Sequence, residues 1–256
     1  GNPVVAYGAL PYNTYTYDYK GRSILSPAAY LPAEIIDGER LEVGAFKDPV
    51  DMFMAENGDI YILDSGNNRL ILFDSDWNMI RCIEKFDNNG KNDSFGNPQG
   101  LFVSDQGIIY VADTDKNRIV KLDRDGNFLC EYGPPKSEII PEDFIYNPTK
   151  LAVDKAGRMY VVARTVNNGV MELDSGGNFI GYMGAPRVSP NVWDFFWKRI
   201  STREQRRRME KFVPTEYNNI SIDQEGFIYA TTSAIDADEL LVTINNRVMD
   251  GKVSPI

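Results

Sequence analysis

The sequence predicts an all-β propeller made of four-stranded blades, with a helical hairpin inserted in its C-terminal part. One segment recurs three times, beginning at Asp48-Pro49, Asn97-Pro98 and Asn147-Pro148, with spacings of 49 and 50 residues. Each copy alternates short β-rich runs with polar turns, and helical periodicity is absent from the copies. Because one such unit cannot bury both of its faces, we expect neighbouring units to stack around an axis.

The second copy shows the elements of a blade in order. A turn at Gly107 separates the first two strands, and a tight turn at Asp125-Gly126-Asn127 separates the last two. The four predicted strands are residues 101–105, 108–113, 118–123 and 128–132.

The remaining segments complete the domain organisation. A diverged fourth copy occupies residues 216–232, where Gly226 and Tyr229 match Gly107 and Tyr110. We assign residues 48–256 to the blades. Residues 1–47 form an N-terminal region with two predicted hairpins, turning at Lys20-Gly21-Arg22 and at Asp37-Gly38, which could make an atypical or closing blade. The chain therefore predicts about four to five visible blades.

The second copy reads NPQGLFVSDQGIIYVADTDKNRIVKLD and resembles the NHL repeat, a β-propeller blade found in bacterial-type NHL repeat proteins. Residues 48–85 fit this pattern almost as well, and residues 216–232 keep its first two strands. The resemblance implies an NHL-type β-propeller, and a ring of six blades if the chain is part of a longer protein. The motif specifies a blade and not an activity, because function depends on the residues of a site and not on the fold.

Three links between copies carry insertions, at residues 87–96, 134–146 and 185–215. In propellers of this family such links lie on the same face as the turns between the second and third strands. We therefore place a binding site on that decorated face, around the mouth of the central channel.

The longest link contains a predicted helical hairpin at residues 190–212, with a capping box at residues 201–204. One interpretation of this hairpin is a partner surface or a lid over an anionic ligand. A second is an amphipathic helix that packs on the ring and leaves its basic face in solvent. Membrane-surface binding is a third interpretation. The residues proposed for a partner or lid are Trp193, Trp197, Arg199, Arg203 and Arg207.

The composition of the chain limits the kinds of partner that it can bind. The formal net charge is −10, so a broad basic field for nucleic acid is absent, and no apolar run is long enough for a membrane span. The chain begins at Gly1 and not at Met, which is compatible with a removed export signal. We expect an exported or cell-envelope location and a protein, anionic or carbohydrate ligand.

The sequence contains no histidine, which removes the commonest general base and zinc ligand. By resemblance, the amidating lyases of this scaffold need a histidine-bound metal, whereas the lactonase relatives use carboxylates and asparagine around a divalent ion. We therefore expect no catalysis and no cofactor, with a Ca²⁺- or Mg²⁺-dependent lactonase or hydrolase as the alternative. Its candidate oxygen ligands are Asp51, Asp64, Asp113, Asn218 and Asn219.

Two of these carboxylates also have a structural interpretation. Asp64 with Arg69 and Asp113 with Arg118 are expected to pair within a blade and hold its second strand against its third. We favour this interpretation over metal binding, because a buried carboxylate is a common partner for an arginine fork.

The third copy departs from this pattern, with Arg164 in place of the aspartate and Gly169 in place of the arginine. Departures from a local rule often mark function, although loss of the pair by drift explains the change equally well. The proposed residues for an anionic or carbohydrate ligand at the channel mouth are Lys150, Arg164, Asn167, Asn168 and Asn218.

The two cysteines, Cys82 and Cys130, lie in neighbouring copies. Aligning the copies places Arg81 opposite Cys130, so the two thiols should point to opposite strand faces. We expect them to be unpaired.

The sequence therefore favours a non-catalytic propeller that binds a ligand or a protein on its decorated face. A metal-dependent lactonase and a structural part of a larger exported assembly are the alternatives.

Overall fold

The computed structural model describes residues 15–26, 35–138, 140, 144–164, 169–183, 217–232 and 241–244. The chain divides into two compact units, residues 1–45 and residues 46–256. The described part of the larger unit contains three four-stranded antiparallel sheets, one three-stranded sheet and a short two-stranded ribbon. These sheets are blades, so the predicted all-β propeller fold is confirmed.

The strands follow one another through each blade in chain order. Blade 1 contains β3 (Pro49–Met54), β4 (Ile60–Asp64), β5 (Arg69–Phe73) and β6 (Met79–Ile83). Blade 2 contains β9 (Gly100–Val103), β10 (Ile109–Asp113), β11 (Arg118–Leu122) and β12 (Phe128–Tyr132). Blade 3 contains β13 (Pro148–Val153), β14 (Met159–Ala163), β15 (Val170–Leu173) and β16 (Phe179–Met183). Blade 4 contains β17 (Tyr217–Ile222), β18 (Ile228–Thr232) and β19 (Leu241–Ile244).

The core lies between the faces of neighbouring blades. Alternate residues of a strand point to opposite faces, so Leu63 packs toward Val111 in the cluster between blades 1 and 2. The same alternation places Val161 between blades 2 and 3 and Tyr160 between blades 3 and 4. The first strand of every blade is its inner strand, and inner strands of successive blades lie side by side.

Gly100 marks a close approach between two blades. A side chain at Gly100 would collide with the carbonyl oxygen of Thr149 and the Cα of Lys150 on the neighbouring inner strand. Backbone atoms cannot move aside as a flexible side chain can. Glycine at this position therefore allows inner strands β9 and β13 to pack together.

The first inserted link forms a ribbon that the sequence did not predict. Strands β7 (Lys85–Asn88) and β8 (Lys91–Ser94) pair through a turn in which Asn89 and Gly90 both have positive φ. This conformation suits an Asn-Gly hairpin turn. The ribbon contacts β12, and Phe86 stacks on Phe128 with ring centroids 5.8 Å apart.

Arg118 ties the ribbon to blade 2. Its guanidinium lies 2.7 Å from Asp93 Oδ2 on the ribbon, 2.8 Å from Asp113 Oδ2 and 2.6 Å from Glu131 Oε2. It also donates to the carbonyl oxygen of Ser94 at 3.1 Å. The bond from Arg118 holds the pKa of Asp93 well below its usual range, and the ammonium of Lys116 adds to this effect.

The smaller unit contains one hairpin among its described residues. Strand β1 (Tyr15–Tyr17) pairs with β2 (Ser23–Leu25) around the turn at Lys20-Gly21-Arg22. Residues 35–46, which include the second predicted hairpin turn, form turns and no strand. Asp37 explains the difference, because its carboxylate accepts from the N–H of Arg40 and its carbonyl oxygen accepts from the N–H of Leu41.

Three further sequence predictions concern the helical hairpin, the cysteines and membrane spans. The helical hairpin at residues 190–212 lies outside the described residues. Cys82 and Cys130 are both free thiols, as expected from their register. None of the helices in the described ranges is long and apolar enough to cross a membrane.

Gly100→Ala tests the close approach of the inner strands. We expect it to lower the free energy of unfolding by about 3 kcal/mol, because the new methyl group meets rigid backbone. The matched control is Gly181→Ala in β16, which has open space around the new carbon and should change stability by less than about 1 kcal/mol. Urea unfolding measures both, and equal effects would contradict the packing argument.

Asp93→Asn tests the ribbon network through its pH dependence. Because folding lowers the pKa of Asp93, its stabilisation is present above the ordinary pKa of 3.8 and is lost as the pH falls further. We expect the variant to lose roughly 2 kcal/mol at neutral pH and to approach the wild type in acid. Asp76→Asn, at an exposed turn residue, should leave the pH profile unchanged. Urea unfolding at several pH values distinguishes the two.

Candidate functional site

The inner strands of all four described blades enclose an axial cavity of about 590 Å³. Its lining comes from residues within 51–56, 101–106, 150–158 and 219–226. Each range begins in an inner strand and reaches the turn that follows it. We call the end where the inner strands start the link end, and the opposite end the turn end. The decorated face predicted from the sequence corresponds to the link end.

A cross-channel ion pair spans the inner strands near the link end. Lys150 Nζ in blade 3 lies 2.9 Å from Asp51 Oδ2 in blade 1 and donates to the carbonyl oxygen of Val50 at 3.1 Å. The same Asp51 oxygen accepts from the N–H of Leu101 in blade 2 at 2.9 Å. Both charged side chains are about four-fifths buried. This arrangement joins three blades around one carboxylate.

An aromatic pair forms part of the cavity wall. The Phe53 and Phe102 rings lie 5.5 Å apart between centroids, at an interplanar angle of 67°. These residues occupy the same position in blades 1 and 2, five residues before the turn glycines Gly58 and Gly107. Ala152 and Ser221 occupy this position in blades 3 and 4; Ser221 lines the cavity, whereas Ala152 is buried in the core.

Two aspartates at the turn end are held by their own turns. Asp154 Oδ2 accepts from Arg158 Nε at 2.7 Å and from the Tyr160 hydroxyl at 3.2 Å. Asp223 Oδ2 likewise accepts from the Tyr229 hydroxyl at 3.0 Å. Burial raises the pKa of Tyr160, so its phenol stays protonated and donates.

The pKa of Asp223 is lowered, although its partial burial opposes the shift. The N–H of Phe227 and the Tyr229 hydroxyl both donate to the charged carboxylate and overcome that opposition. Asp223 is therefore a carboxylate at neutral pH, and its hydrogen-bond donors among the described residues are neutral.

The rest of the turn end is mainly acidic. Glu56 Oε1 accepts from Gln224 Nε2 at 2.7 Å, which joins the turn of blade 1 to the turn of blade 4. Lys155 Nζ donates to the carbonyl oxygen of Gln224 at 3.0 Å. Asp105 and Glu225 are exposed carboxylates that also line the cavity.

Of the residues predicted for an anionic ligand, Lys150, Arg164 and Asn218 lie in described parts of the chain. Lys150 is engaged with Asp51, and Asn218 is exposed with its Oδ1 accepting from Thr231 Oγ1 at 2.6 Å. Two proposed ligand residues and all five partner or lid residues lie outside the described ranges; they are Asn167, Asn168, Trp193, Trp197, Arg199, Arg203 and Arg207.

The alignment of Arg164 with the blade aspartate is wrong by one residue. Pro49 pairs with Asp64 in blade 1, and the equivalent Pro148 pairs with Ala163 in blade 3. Arg164 is exposed beyond the end of β14, where its backbone N–H donates to the carbonyl oxygen of Asn147. Ala163 therefore takes the place of the paired carboxylate, and Arg164 does not substitute for it.

The two aspartates assigned a structural role form pairs inside their blades. Arg69 Nε lies 2.7 Å from Asp64 Oδ2, and Arg118 Nε lies 2.8 Å from Asp113 Oδ2. Both carboxylates are fully buried. Their other oxygens accept from the N–H groups of Lys47 and Gly96 in the link that enters each blade.

The five oxygen ligands considered for a divalent ion are each engaged elsewhere. Asp51, Asp64 and Asp113 accept from basic side chains and backbone N–H groups, as described above. Asn218 accepts from Thr231, and Asn219 Oδ1 accepts from the N–H of Ile220. Within the described residues no three acidic or cysteine side chains are grouped to hold a metal ion.

The cross-channel ion pair between Asp51 and Lys150 was not predicted from the sequence, although the sequence contains a signal for it. The residue seven positions before the turn glycine is Asp51 in blade 1, Gly100 in blade 2 and Lys150 in blade 3. Blades 1 and 3 carry opposite charges at this position, and blade 2 between them has no side chain there. This pattern indicates that the two charged side chains meet across blade 2.

The NHL repeat family matches residues 95–122, which lie in blade 2 and the link before it. No curated protein matches the sequence. At 11% identity and a TM-score of 0.50, the chain is similar to hydrazine synthase from Kuenenia stuttgartiensis, covering 88% of this chain and 51% of that one.

Two further solved structures are similar to the chain. One is a catalytically inactive virginiamycin B lyase from Staphylococcus aureus, with 10% identity, a TM-score of 0.47, and coverage of 94% of this chain and 61% of that one. The other is a gluconolactonase from Xanthomonas campestris, with 16% identity, a TM-score of 0.47, and coverage of 90% and 64%. The chain thus spans less than two thirds of each of these three structures, and at such low identity the likeness concerns the fold alone.

Lys150→Met tests the cross-channel ion pair. The substitution keeps much of the stem but leaves the largely buried Asp51 carboxylate without its cation, so we expect a loss of about 2 kcal/mol in the free energy of unfolding. Lys155→Met is the matched control, because Lys155 is exposed and donates only to a carbonyl oxygen. Urea unfolding measures both variants; a wild-type value for Lys150→Met would show that the pair contributes nothing.

Proposed function

Because the chain folds as a β-propeller and its residues 95–122 match the NHL repeat, we propose that it is a non-catalytic binding module whose ligand occupies the axial cavity. The observation that carries the proposal is the cavity itself, with its volume of about 590 Å³ between four inner strands. Pockets for small ligands have volumes of roughly 300–1,000 Å³ and combine apolar walls with a few polar groups.

The lining has both kinds of surface. Phe53 and Phe102 supply an apolar wall, and the turn end supplies carboxylates, amides and the ammonium group of Lys155. The site that we propose lies toward the turn end of the inner strands, whereas the sequence prediction places it on the decorated face.

Binding is favoured over catalysis by the state of the polar side chains. The carboxylate of Asp154 is held by Arg158 and Tyr160, and that of Asp51 is held by Lys150. A general base or nucleophile needs a group that can approach the substrate and change its protonation state. In this cavity the most buried titratable groups already support each other.

The divalent-metal hydrolase stays the weaker alternative, because its candidate oxygen ligands are engaged in structural contacts. A protein partner for residues 190–212 and an exported location both stay predictions.

Filling the cavity tests the proposal. Ser221→Trp places a large side chain at the register position that Phe53 and Phe102 occupy in blades 1 and 2, whereas Ser75→Trp places it in an exposed peripheral turn. The probes are phenethylammonium, 2-phenylethanol, phenylacetate, maltose and gluconate. We expect at least one probe to raise the melting temperature of the wild type and of Ser75→Trp but not of Ser221→Trp, since ligand binding stabilises the folded state.

A probe that stabilises all three proteins equally would place binding outside the cavity. If none stabilises the wild type, the proposed binding function is wrong. Hydrolysis of gluconolactone by the wild type with Ca²⁺ or Mg²⁺, abolished by a chelator, would instead support the enzymatic alternative.

A further inference from the structure

We propose that the axial cavity selects an organic cation, an ammonium or guanidinium group carried on a short apolar stem. This inference rests on the binding function proposed above and specifies the class of its ligand. Three features of the described lining support it: its unpaired charges, its aromatic wall and the relative positions of the two.

The ion pairs of the cavity leave an excess of negative charge. Lys150 neutralises Asp51, and Arg158 neutralises Asp154, with Glu172 3.4 Å away as a second partner of Arg158. Four lining carboxylates have no cation within ion-pairing distance among the described residues: Glu56, Asp105, Asp223 and Glu225. In the described lining, the ammonium group outside these ion pairs is that of Lys155, which donates to a carbonyl oxygen.

The four carboxylates come from three blades and surround the turn end of the cavity. Glu56 is in the turn of blade 1, Asp105 in that of blade 2, and Asp223 and Glu225 in that of blade 4. A cleft lined by one sign of charge concentrates the electric field within it and attracts ions of the opposite sign. The excess negative charge thus favours a cation at this end.

The aromatic wall suits the same ligand. Phe53 and Phe102 follow the cross-channel pair along the inner strands and precede the acidic turns. An apolar stem would pack against these rings while its cationic head reaches the carboxylates, and aromatic faces also attract cations. A neutral polar ligand would leave the carboxylates without a partner of opposite charge.

The basic side chains of the lining do not offer an equivalent anion site. Lys150 is held by Asp51 and by the carbonyl oxygen of Val50, so an anion would have to displace a largely buried ion pair. Arg158 is held by Asp154 in the same turn. An anion at Lys155 would lie among the unpaired carboxylates.

Isothermal titration calorimetry with size-matched probes tests the charge preference. Phenethylammonium, 2-phenylethanol and phenylacetate share a phenyl ring and a short stem but carry positive, zero and negative charge. We expect the cation to bind tightest and the anion weakest. The advantage of the cation should shrink when the salt concentration is raised to about 0.5 M, because salt screens partly exposed charges.

Charge-removing variants identify the groups responsible. Asp105→Asn and Glu225→Gln should each weaken phenethylammonium binding about fivefold, the factor expected for one unit charge a few ångströms away in water. Neither should alter the affinity for 2-phenylethanol. Asp76→Asn removes an exposed carboxylate outside the cavity and is the matched control. The peptide Gly-Gly-Lys-Gly-Gly distinguishes a free amine from a lysine side chain as the source of the cation.

Two outcomes would overturn the inference while leaving the binding function intact. One is an equal or higher affinity for 2-phenylethanol or phenylacetate than for phenethylammonium, with binding still abolished by Ser221→Trp. The other is cation binding that Asp105→Asn and Glu225→Gln leave unchanged. If no probe binds the wild type at all, the cavity function and the cation preference both fail.

Discussion

The geometry of blades 1 and 2 depends on a buried aspartate at the end of the second strand. In blade 2 one oxygen of Asp113 accepts from Gly96 N–H in the incoming link, and the other accepts from Arg118 at the start of the third strand. One carboxylate thus fixes where the chain enters the blade and where it turns inside it. Gly96 precedes inner strand β9 by only a few residues, so this contact helps to position the cavity wall that blade 2 supplies. Asp64 does the same in blade 1.

Features repeated within each blade could be predicted from the sequence, because one repeat contains all the residues that produce them. The four strands of blade 2, its turn at Gly107 and the pairing of Asp113 with Arg118 are of this kind. The cavity could not be predicted, since its lining joins side chains from four repeats and depends on how closely the inner strands approach. The alignment of Arg164 with the blade aspartate was wrong for another reason. Blade 3 has one more residue between its second and third strands than blade 2, and an extra residue in a polar loop leaves no mark in the pattern of strands.

The two short segments outside the blades show the limits of local signals. Asn89-Gly90 is a strong hairpin sequence, and the ribbon it forms could have been predicted from that dipeptide. Asp37-Gly38 looks equally favourable, yet Asp37 accepts from the N–H of Arg40 and closes a local turn. An aspartate side chain can satisfy nearby backbone groups before a second strand pairs with them. Whether such a dipeptide forms a hairpin or a local turn depends on the strands available on either side of it.

The cross-channel pair gives the blades an order. Repeats that arise by duplication begin as equivalent modules, and a ring of equivalent modules tolerates exchange of one for another. Here a single repeat position carries an acid in blade 1, no side chain in blade 2 and a base in blade 3. Exchanging blades 2 and 3 would place a lysine where the inner strands need a glycine and remove the base from its partner. Divergence at this one position has therefore turned similar copies into parts that each fit only one place.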